Sequence, residues 1–589
     1  MIEFSKRWIA AGALVAAISG SAIAMSNMHP YFTVKHILPA SMDGIPGIGG
    51  IGLLPNGDGV ICTWGGSQKS DGEVWIVPAL ATGTPGTPTK IATGLREALG
   101  VAVVGQDFYV LEKPRILKFT GSGTTWTKST LWSLPTAWYD DKQWHHFSFN
   151  LEYKEDGLWF TTGMAYEPNP NDPLQRGALI KVALNGSGFQ QFARGMRNTN
   201  GLGIGPDSGF FITDNQGHWK PVNVMYAVPT KNIPTNGRFY GYRTTGNNAC
   251  GTTAPPVGGT NCPNDPEYPP AIWLPYGGFS NSPTRPMLLK AGPYAGQMIG
   301  GDVYKGVVIR YFLEKVKGEW QGAAFQMMTN GSSGINFGIN QFLYTPTGSI
   351  LAAGIGGGTC NLGGSGNWNW NGTCRGLDLL TPTNTSAFEM LAIRSLSDGF
   401  DIEFTQPANA AAGDAANWTV RTTVFTPVFD YGVDGGNADN NINVAVTSAK
   451  LSEDGRHVRL KLASLQTGRM YAFTPKTTIT AATGGAALYS PSGFYTLNNV
   501  STDTVVSVVG PVDAFTRRIH ATPQRGRIAL DLPFESAWKL EVLRLDGSRA
   551  AQASGTGPSR FESASLAPGL YLVSGRAGNA RFSEKIRVQ

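Results

Sequence analysis

The stretch FNLEYKEDGLWFTTG, residues 149–163, decides the fold. Apolar and polar residues alternate on both sides of its Asp156–Gly157 pair, a pattern typical of two short strands joined by a tight β-hairpin turn. A single hairpin cannot bury both of its faces, because an isolated pair of strands is marginal in water. The stretch therefore predicts a fold in which similar hairpins pack against one another.

Five other stretches share this pattern. The six begin at Gly50, Leu99, Phe149, Asn200, Ile299 and Asn340, so successive starts lie 49, 50, 51, 99 and 41 residues apart. This spacing is close to one propeller blade, with a long insertion after the fourth unit. We therefore predict an all-β chain with a six-bladed β-propeller over residues 30–385. Seven blades are the alternative, because the fifth stretch is the weakest match.

The rest of the chain predicts further β-structure. The segment YFTVKHIL, residues 31–38, is expected to supply the strand that closes the ring. Short alternating strands predict an immunoglobulin-like β-sandwich over residues 386–500. A linker over residues 501–517 then leads to a small C-terminal β domain over residues 518–589. The 76 glycines and 37 prolines of the 589-residue chain also favour short strands and tight turns.

The N-terminal residues 1–24 predict a secretory signal peptide. Lys6 and Arg7 precede an apolar run that ends in small residues at Ala22–Ala24. A membrane anchor is the alternative, but the run is short for a bilayer. We therefore expect the protein to be exported.

Because disulfides persist outside the cytosol, an exported protein with five cysteines is expected to contain disulfides. Two pairs bracket Gly-rich loops and are predicted to form disulfides, and Cys62 is predicted to be a buried thiol; the pairs are Cys250 with Cys262 and Cys360 with Cys374. Their spacing does not suit zinc or an attached haem. The net charge of +6 is not clustered in basic runs, which argues against nucleic acid as a partner.

The candidate site lies where loops enter neighbouring inner strands. His145 and His146 precede the third hairpin, and Arg197 precedes the fourth. Such loops surround one end of a propeller's channel, so an imidazole and a guanidinium are predicted to share a cavity. The alternatives are a partly buried histidine paired with a backbone carbonyl and an arginine that ties two blades together.

The propeller resembles the glucose/sorbosone dehydrogenase family of quinoproteins, six-bladed propellers that use pyrroloquinoline quinone and calcium. The resemblance rests on a histidine before a strand, an Asp-Gly turn and a second strand, and on RNTNGL, residues 197–202. It implies that His146 is the catalytic base and that Arg197 and Asn198 contact the quinone. His145 is then a predicted substrate contact.

The same resemblance implies a position for the calcium ion and for further contacts with the quinone. TDNQGHW, residues 213–219, falls at the family's calcium-binding Gln-Gly step, which implies calcium ligation by the backbone carbonyls of Gly217 and His218. The family's quinone-binding lysine and two arginines align with Tyr304, Gly338 and Asn340, which are departures from its pattern. Nearby, Lys305 and Asp302 are predicted cofactor contacts, with loop scaffolding as the alternative for Asp302.

The resemblance implies a sugar or polyol dehydrogenase. His146 would take a proton from a sugar hydroxyl while hydride passes to the quinone, and Arg197 would stabilise the reduced quinone. An external electron acceptor would be needed.

Three further segments are similar to bacterial exported propellers that carry the sorbosone dehydrogenase label; they cover residues 269–289, 292–325 and 388–407. The C-terminal tail resembles the sorting domain of type IX secretion cargo, on LEVLRLDGSRA at 540–550 and LAPGLYLVSG at 566–575. That resemblance implies type IX secretion machinery as a partner and an outer-membrane or extracellular location. A structural β module is the alternative.

Two other functions compete with sugar oxidation. A surface carbohydrate-binding or adhesion propeller without cofactor is favoured by the missing cationic side chains. Trp273 and Tyr276, expected to stack on sugar rings, would serve either function. A propeller that cleaves glycosidic bonds with His146 as its base is the third possibility.

Overall fold

A computed structural model describes residues 28–42, 45, 47–169, 171–242, 267–275, 279–329, 334–335, 337–356, 376–383, 385–425, 441–503, 520–524, 527–532, 537–544, 548–557, 559–577 and 580–588. The regular secondary structure of the described residues consists of β-strands and single-turn 3₁₀ segments, and none of these residues lies in an α-helix. The 3₁₀ segments are Ala40–Met42, Leu80–Thr82, Thr136–Trp138, Pro206–Ser208, Ala410–Gly413 and Ala415–Asn417.

Six blades of mostly antiparallel strands form the ring. After β1 (Phe32–His36), blade one contains β2 (Ile48–Leu53), β3 (Gly59–Thr63), β4 (Gly72–Val77) and β5 (Thr89–Leu95). Blade two contains β6 (Gly100–Val104), β7 (Asp107–Glu112), β8 (Arg115–Ser122) and β9 (Thr125–Ser133). Blades three and four share the next stretch of chain, in the order β10 (Ser148–Lys154), β11 (Gly157–Thr162), β12 (Leu179–Ala183), β13 (Phe189–Arg194), β14 (Gly201–Ile204), β15 (Phe210–Asp214), β16 (Asn223–Val228), β17 (Arg238–Phe239) and β18 (Ile272–Leu274).

Blade three is the sheet β10-β11-β12-β13-β17, and blade four is β14-β15-β16-β18. Blade five contains β19 (Met287–Leu288), β20 (Met298–Gly300), β21 (Val308–Val316) and β22 (Glu319–Met328). Blade six contains β23 (Gly338–Tyr344), β24 (Ile350–Gly356) and β25 (Leu377–Pro382), with β1 as its outermost strand. The prediction of six blades is therefore confirmed.

The N-terminal strand closes the ring, as the sequence predicted. β1 pairs antiparallel with β25, which places Phe32 opposite Pro382 and His36 opposite Asp378. The first and last parts of the propeller thus share one sheet. This pairing removes a free sheet edge and ties the two ends of the ring together.

Contacts between inner strands continue around the ring. At the interface of blades four and five, a Cβ on Gly203 would lie 1.8 Å from the Pro286 carbonyl oxygen, so only glycine permits this approach. Side chains bond across three other interfaces: Thr161 Oγ1 to the Thr199 carbonyl (2.8 Å), Thr284 Oγ1 to the Ile339 carbonyl (2.8 Å) and Asn340 Nδ2 to the Gly49 carbonyl (2.9 Å).

Blade five departs from the predicted repeat. The stretch that begins at Ile299 was expected to be an inner hairpin, but Ile299 lies in β20, the second strand of its blade. The innermost strand is β19, which pairs with β20. Its two assigned residues follow Pro283 and Pro286, and proline lacks the N–H that a ladder requires. The alternating pattern in the sequence was therefore clearest in the second strand of this blade, and its short first strand was missed.

The centre of the ring is closed. At the mouth, which we define as the end where loops enter the inner strands, six buried apolar side chains from five blades form one cluster: Trp64, Leu99, Phe147, Phe149, Val303 and Ile355. Deeper in the channel, Arg285 pairs with Glu152 and donates to Gln341 Oε1 (3.2 Å), and Gln341 Nε2 donates to Asn150 Oδ1 (3.0 Å). A ligand site at the mouth therefore lies off the central axis.

The predicted sandwich is present, and it extends blade five. One of its sheets contains β26 (Met390–Leu396), β27 (Gly399–Phe404), β30 (Val446–Leu451) and β31 (His457–Leu462). The other contains β28 (Trp418–Thr423), β29 (Ile442–Asn443), β32 (Arg469–Pro475) and β33 (Gly493–Leu497). Because β33 pairs with β22, the second sheet and blade five form one eight-stranded sheet. The sequence predicted two separate domains here, and the pairing joins them instead.

The chain divides into two compact units, and the propeller and the sandwich belong to the same one. One unit comprises residues 1–288 and 297–504, and the other comprises residues 289–296 and 505–589. In the second unit, β34 (His520–Gln524), β35 (Arg527–Leu532) and β38 (Ser559–Glu562) form one sheet. The strands β36 (Ala537–Arg544), β37 (Arg549–Thr556), β39 (Gly569–Ala577) and β40 (Ala580–Val588) form another. This is the small β domain that the sequence predicted, and its sorting role stays a prediction.

We expect Phe32→Ala to weaken the propeller strongly. The Phe32 side chain is buried in the ring-closing strand, so truncation leaves a cavity and should lower the free energy of unfolding by about 3–5 kcal/mol. Denaturant unfolding measures this. The control is Thr33→Ala on the exposed face of the same strand, and a loss below about 1 kcal/mol for Phe32→Ala would show that β1 does not hold the ring closed.

Candidate functional site

Four loops of blades three and four converge at the mouth of the ring. The loop before β10 carries Trp144, His145 and His146, and the loop after β11 carries residues 164–167. The loop before β14 carries residues 197–200, and the loop after β15 carries residues 215–220. We call this convergence of loops the blade 3/4 site.

His145, rather than His146, faces Arg197. His145 Nδ1 lies 2.8 Å from the Met164 carbonyl oxygen, and because a carbonyl only accepts, Nδ1 carries the proton. Nε2 then carries the lone pair, and no described residue bonds to it. Burial, followed by the positive charge of Arg197, lowers the pKa of His145 well below its usual value. The ring is therefore a neutral acceptor beside a guanidinium.

His146 turns away from this position. Its Nδ1 accepts the Asp140 backbone N–H (3.0 Å), and its Nε2 donates to Asp172 Oδ1 (3.0 Å). Burial lowers the pKa of His146, although Asp172 acts in the opposite direction. Since both ring nitrogens are engaged, the base role that the resemblance assigned to His146 is corrected: this imidazole holds the loops together.

Arg197 is buried and fixed from two sides. Its Nη1 donates to the Gln216 carbonyl oxygen (2.9 Å), and its guanidinium lies 5.7 Å from the centre of the Tyr166 ring. The chain permits this because residue 217 is glycine: a Cβ there would lie 2.0 Å from Arg197 Nε. The prediction that an imidazole and a guanidinium from successive blades meet at the mouth agrees with this geometry.

One of the two carbonyls predicted to bind calcium accepts a backbone hydrogen bond. The Gly217 carbonyl accepts the Lys220 backbone N–H (3.1 Å), and the neighbouring Gln216 carbonyl accepts from Arg197. The His218 side chain pairs with Glu167, with Nε2 to Oε2 at 3.1 Å. The Gln-Gly step thus forms a tight turn that holds Arg197, and calcium ligation by the carbonyls of Gly217 and His218 stays a prediction. The described residues contain no group of three His, Cys, Asp or Glu side chains that could hold a metal ion.

Three amide oxygens near Arg197 lack a hydrogen-bond partner in the described part of the chain. They are Asn198 Oδ1, Asn215 Oδ1 and Gln216 Oε1, and all three are buried. A Cβ on Gly163 would lie 2.9 Å from Asn198 Oδ1 and 3.0 Å from the His145 carbonyl oxygen, so Asn198 borders the histidine loop. Buried acceptors without partners are costly, and a hydroxyl-bearing ligand or water would satisfy them.

Asp302 and Lys305 occupy a separate loop of blade five. Asp302 accepts four backbone N–H groups, from Asn281, Ser282, Tyr304 and Lys305, at 2.7–3.0 Å. It therefore scaffolds its own loop, which corrects the cofactor contact predicted for it. The Lys305 ammonium lies 5.6 Å from the centre of the Tyr304 ring.

Trp273 lies in β18, the outermost strand of blade four, and packs against Phe425, with ring centres 5.3 Å apart and ring planes inclined at 42°. It has a packing role there, which corrects its predicted contact with sugar. Cys62 is a buried thiol as predicted, and burial raises its pKa to about 12. The remaining predictions, the sugar contact of Tyr276 and the disulfides of Cys250, Cys262, Cys360 and Cys374, lie outside the described residues.

Two aromatic rings that sequence reasoning did not single out cover the site. Trp144 is 40% exposed, and its ring centre lies 5.3 Å from that of Tyr166 and 4.9 Å from that of His145. Tyr166 in turn contacts both His145 and Arg197. A tryptophan directly before the histidine pair was the available signal. An exposed ring above buried polar groups suits the apolar face of a sugar.

The quinone that the resemblance implies does not fit this set of donors. A trianionic ligand requires cations and N–H donors, whereas three side-chain oxygens here are unpaired acceptors. Asn340, at the position of a family arginine, donates to the Gly49 carbonyl. A Cβ on Gly338, at the position of the other, would lie 1.9 Å from the Val303 carbonyl oxygen. No reaction step through a quinone follows from these residues.

Comparisons with known proteins find similar solved structures at low identity. No protein-family model and no curated protein matches the chain. A solved structure of the PQQ-bound aldose sugar dehydrogenase from Streptomyces coelicolor is 14% identical, covers 60% of this chain and 99% of its own, and has a TM-score of 0.40. The pyranose dehydrogenase PQQ domain from Coprinopsis cinerea is 12% identical, with coverages of 61% and 96% and a TM-score of 0.41.

The α-L-arabinofuranosidase Arb93A from Fusarium graminearum is 8% identical, with coverages of 60% and 98% and a TM-score of 0.34. At these identities and TM-scores the likenesses carry no argument about chemistry. In the part of the chain that is described, no helix is long and apolar enough to span a bilayer.

The low pKa of His145 predicts a pH-dependent stability. The native ring stays neutral while the unfolded ring takes up a proton below pH about 6.5, so this histidine stabilises the fold above that pH and the contribution is lost as pH falls. His145→Asn keeps a donor to the Met164 carbonyl but cannot titrate. We expect its free energy of unfolding to fall less than that of wild type between pH 7 and pH 5.

His457→Asn is the control of opposite sign. A hydrogen bond to Asp401 raises the pKa of His457, so its contribution is present at low pH and lost as pH rises through the native pKa. Removing it should make the acid loss of stability steeper. Identical slopes for wild type and His145→Asn would contradict the neutral assignment of His145.

Proposed function

We propose that the protein is a carbohydrate-directed propeller that binds a sugar or polyol at the blade 3/4 site. The observation that carries the proposal is the Nε2 of neutral His145, to which no described residue bonds, next to Arg197 and the rings of Trp144 and Tyr166. A sugar stacks its C–H face on an aromatic ring and offers hydroxyls at its edge. Each hydroxyl both donates and accepts, which matches an acceptor imidazole next to a donor guanidinium.

The unpaired amide oxygens support the same ligand class. Asn198 Oδ1 and Gln216 Oε1 need O–H or N–H donors, and a polyhydroxyl ligand supplies several. A ligand made only of acceptors leaves these atoms unsatisfied. The same site also holds what proton transfer requires, because His145 Nε2 is a lone-pair acceptor and Arg197 stabilises negative charge that develops on a neighbouring oxygen.

Trp144→Ala should weaken sugar binding about tenfold or more, because it removes the exposed stacking surface. Arg197→Lys should weaken it similarly, since an ammonium cannot reproduce the planar guanidinium that lies against Gly217 and Tyr166. A glycan array identifies the ligand, and calorimetry with the retained sugar measures affinity. The matched control is Phe189→Ala, an equally exposed ring (46%) on the outer strand β13. Equal effects at Trp144 and Phe189 would contradict the placement of the site.

Sugar oxidation of the quinoprotein type is a second candidate. The pairing of a neutral imidazole with a guanidinium on successive blades favours it, because the resemblance implies a histidine base and an arginine that contacts the quinone. The resemblance assigns the base to His146, whereas His145 is the ring beside Arg197. The test is titration with pyrroloquinoline quinone and calcium, followed by dye reduction with the retained sugar. We expect no saturable change in quinone absorbance. A saturable change together with dye reduction that His145→Asn abolishes would establish the oxidoreductase instead.

We also propose that residues 1–24 direct export and are removed. The basic pair before an apolar run and the small residues at its end support this. N-terminal sequencing of protein recovered outside the cytoplasm should begin at residue 25, and an intact N-terminus on membrane-bound protein would favour the anchor.

A further inference from the structure

The buried carboxylate of Asp214 ends strand β15 and holds the loop that carries Arg197. Its Oδ2 accepts the Arg197 backbone N–H (2.8 Å), and its Oδ1 accepts the Asn198 backbone N–H (2.6 Å). Asp214 is fully buried, and burial raises its pKa. Each carboxylate oxygen is thus committed to one peptide group of the neighbouring loop. Charge-assisted bonds of this kind are about twice as strong as neutral ones.

The hydrogen bonds continue from Arg197 to blade three. The Arg197 carbonyl accepts the Met164 backbone N–H (2.7 Å), and the Met164 carbonyl accepts the proton of His145 Nδ1 (2.8 Å). One chain of bonds therefore runs from Asp214 through Arg197 and Met164 to His145. The backbone N–H and the backbone C=O of Arg197 are both bonded, and the tautomer of His145 depends on the carbonyl at the end of the chain.

We propose that Asp214 is the positioning residue of the blade 3/4 site: it fixes Arg197 directly and the His145 ring through Arg197 and Met164. The inference rests on the proposed function, because His145 and Arg197 are taken as the ligand contacts. Asp214 itself touches neither the imidazole nor the proposed ligand, so it acts through other residues.

The isosteric change to asparagine breaks this arrangement selectively. An amide offers one accepting oxygen and one NH₂ group, so Asp214→Asn sets a donor against the backbone N–H of Arg197 or Asn198. That N–H must move away or stay unpaired. A displacement of about 1 Å at a positioned contact is enough for a large functional loss. Movement of Arg197 also carries the Met164 peptide, and with it the ring of His145.

Blade five provides a matched control. Asp302 follows β20 as Asp214 ends β15, and its Oδ2 accepts two consecutive backbone N–H groups, from Asn281 (2.7 Å) and Ser282 (2.8 Å). It is also fully buried. Its loop leads into the inner strand of blade five, and its bonds do not reach His145. Asp302→Asn therefore imposes the same kind of cost without touching the proposed chain.

The experiment compares Asp214→Asn with Asp302→Asn in the full chain. Both should lower the unfolding midpoint. Asp214→Asn alone should lower the affinity for the sugar identified on the glycan array at least tenfold. It should also move the pH midpoint of binding, because the His145 ring is no longer held. Equal affinity and pH midpoint for the two variants would overturn the proposal. So would the failure of both Asp214→Asn and Asp214→Ser to fold while Asp302→Asn folds, because Asp214 would then serve the fold alone.

Failure of the proposed function is separately recognisable. If the wild type retains no glycan, the sugar-binding proposal fails, and the positioning role is read from the ¹⁵N resonances of the His145 ring. Asp214→Asn should shift the Nδ1 resonance of His145, and Asp302→Asn should not. An unchanged Nδ1 resonance in Asp214→Asn would overturn the positioning role whatever the ligand is.

Discussion

The bonds from Asp214 to the backbone of Arg197 and Asn198 are the interaction on which the site depends. They join the second strand of blade four to the loop that enters its first strand. From Arg197 the same chain of bonds crosses to Met164 and His145 in blade three. The side chains of Arg197 and His145, which belong to different blades, are thereby held at a fixed distance and orientation by the Asp214 carboxylate and the backbones of Arg197 and Met164. Buried peptide groups keep such partners because leaving one unpaired costs as much as a lost hydrogen bond.

The ring supplies the second constraint. The inner strands approach closely enough that a side chain on Gly203 would collide with the Pro286 backbone. The centre of the mouth is filled by an apolar cluster that includes Trp64 and Phe149, and the channel beneath is closed by the contacts among Arg285, Glu152 and Gln341. The proposed ligand site therefore lies off-axis over blades three and four, next to Trp144 and Tyr166. The second sheet of the sandwich joins β22, the outer strand of blade five, rather than blade three or four.

Much of the fold follows from local sequence. Alternation around turns such as Asp156–Gly157 specifies the hairpins, and their spacing specifies six blades, because periodicity and turn chemistry are properties of short segments. The closing strand β1 was also predictable, since a ring needs a partner for its last edge. Blade five was misread because Pro283 and Pro286 weaken the signal of its inner strand. The pairing of β22 with β33 joins strands more than 150 residues apart, and no local pattern records it.

The loops of the proposed site were predictable, but the choice between its two histidines was not. The sequence placed an imidazole and a guanidinium at the mouth, but adjacent side chains at a loop end point in different directions, and their partners decide which one faces the ligand. His146 is drawn to Asp172, which lies 26 residues away, and His145 is left beside Arg197. Asp302 failed as a cofactor contact for a similar reason, because its oxygens are taken by backbone N–H groups of its own loop.

The central claim is that His145, and not its neighbour, meets the ligand. The most direct measurement is ¹⁵N NMR of the histidine side chains during titration with the sugar retained on the array. We expect Nε2 of His145 to begin as a bare acceptor and to shift on binding, while both nitrogens of His146 stay unchanged. A shift confined to His146, or a protonated Nε2 on His145 at neutral pH, would show that His145 is not the ligand contact.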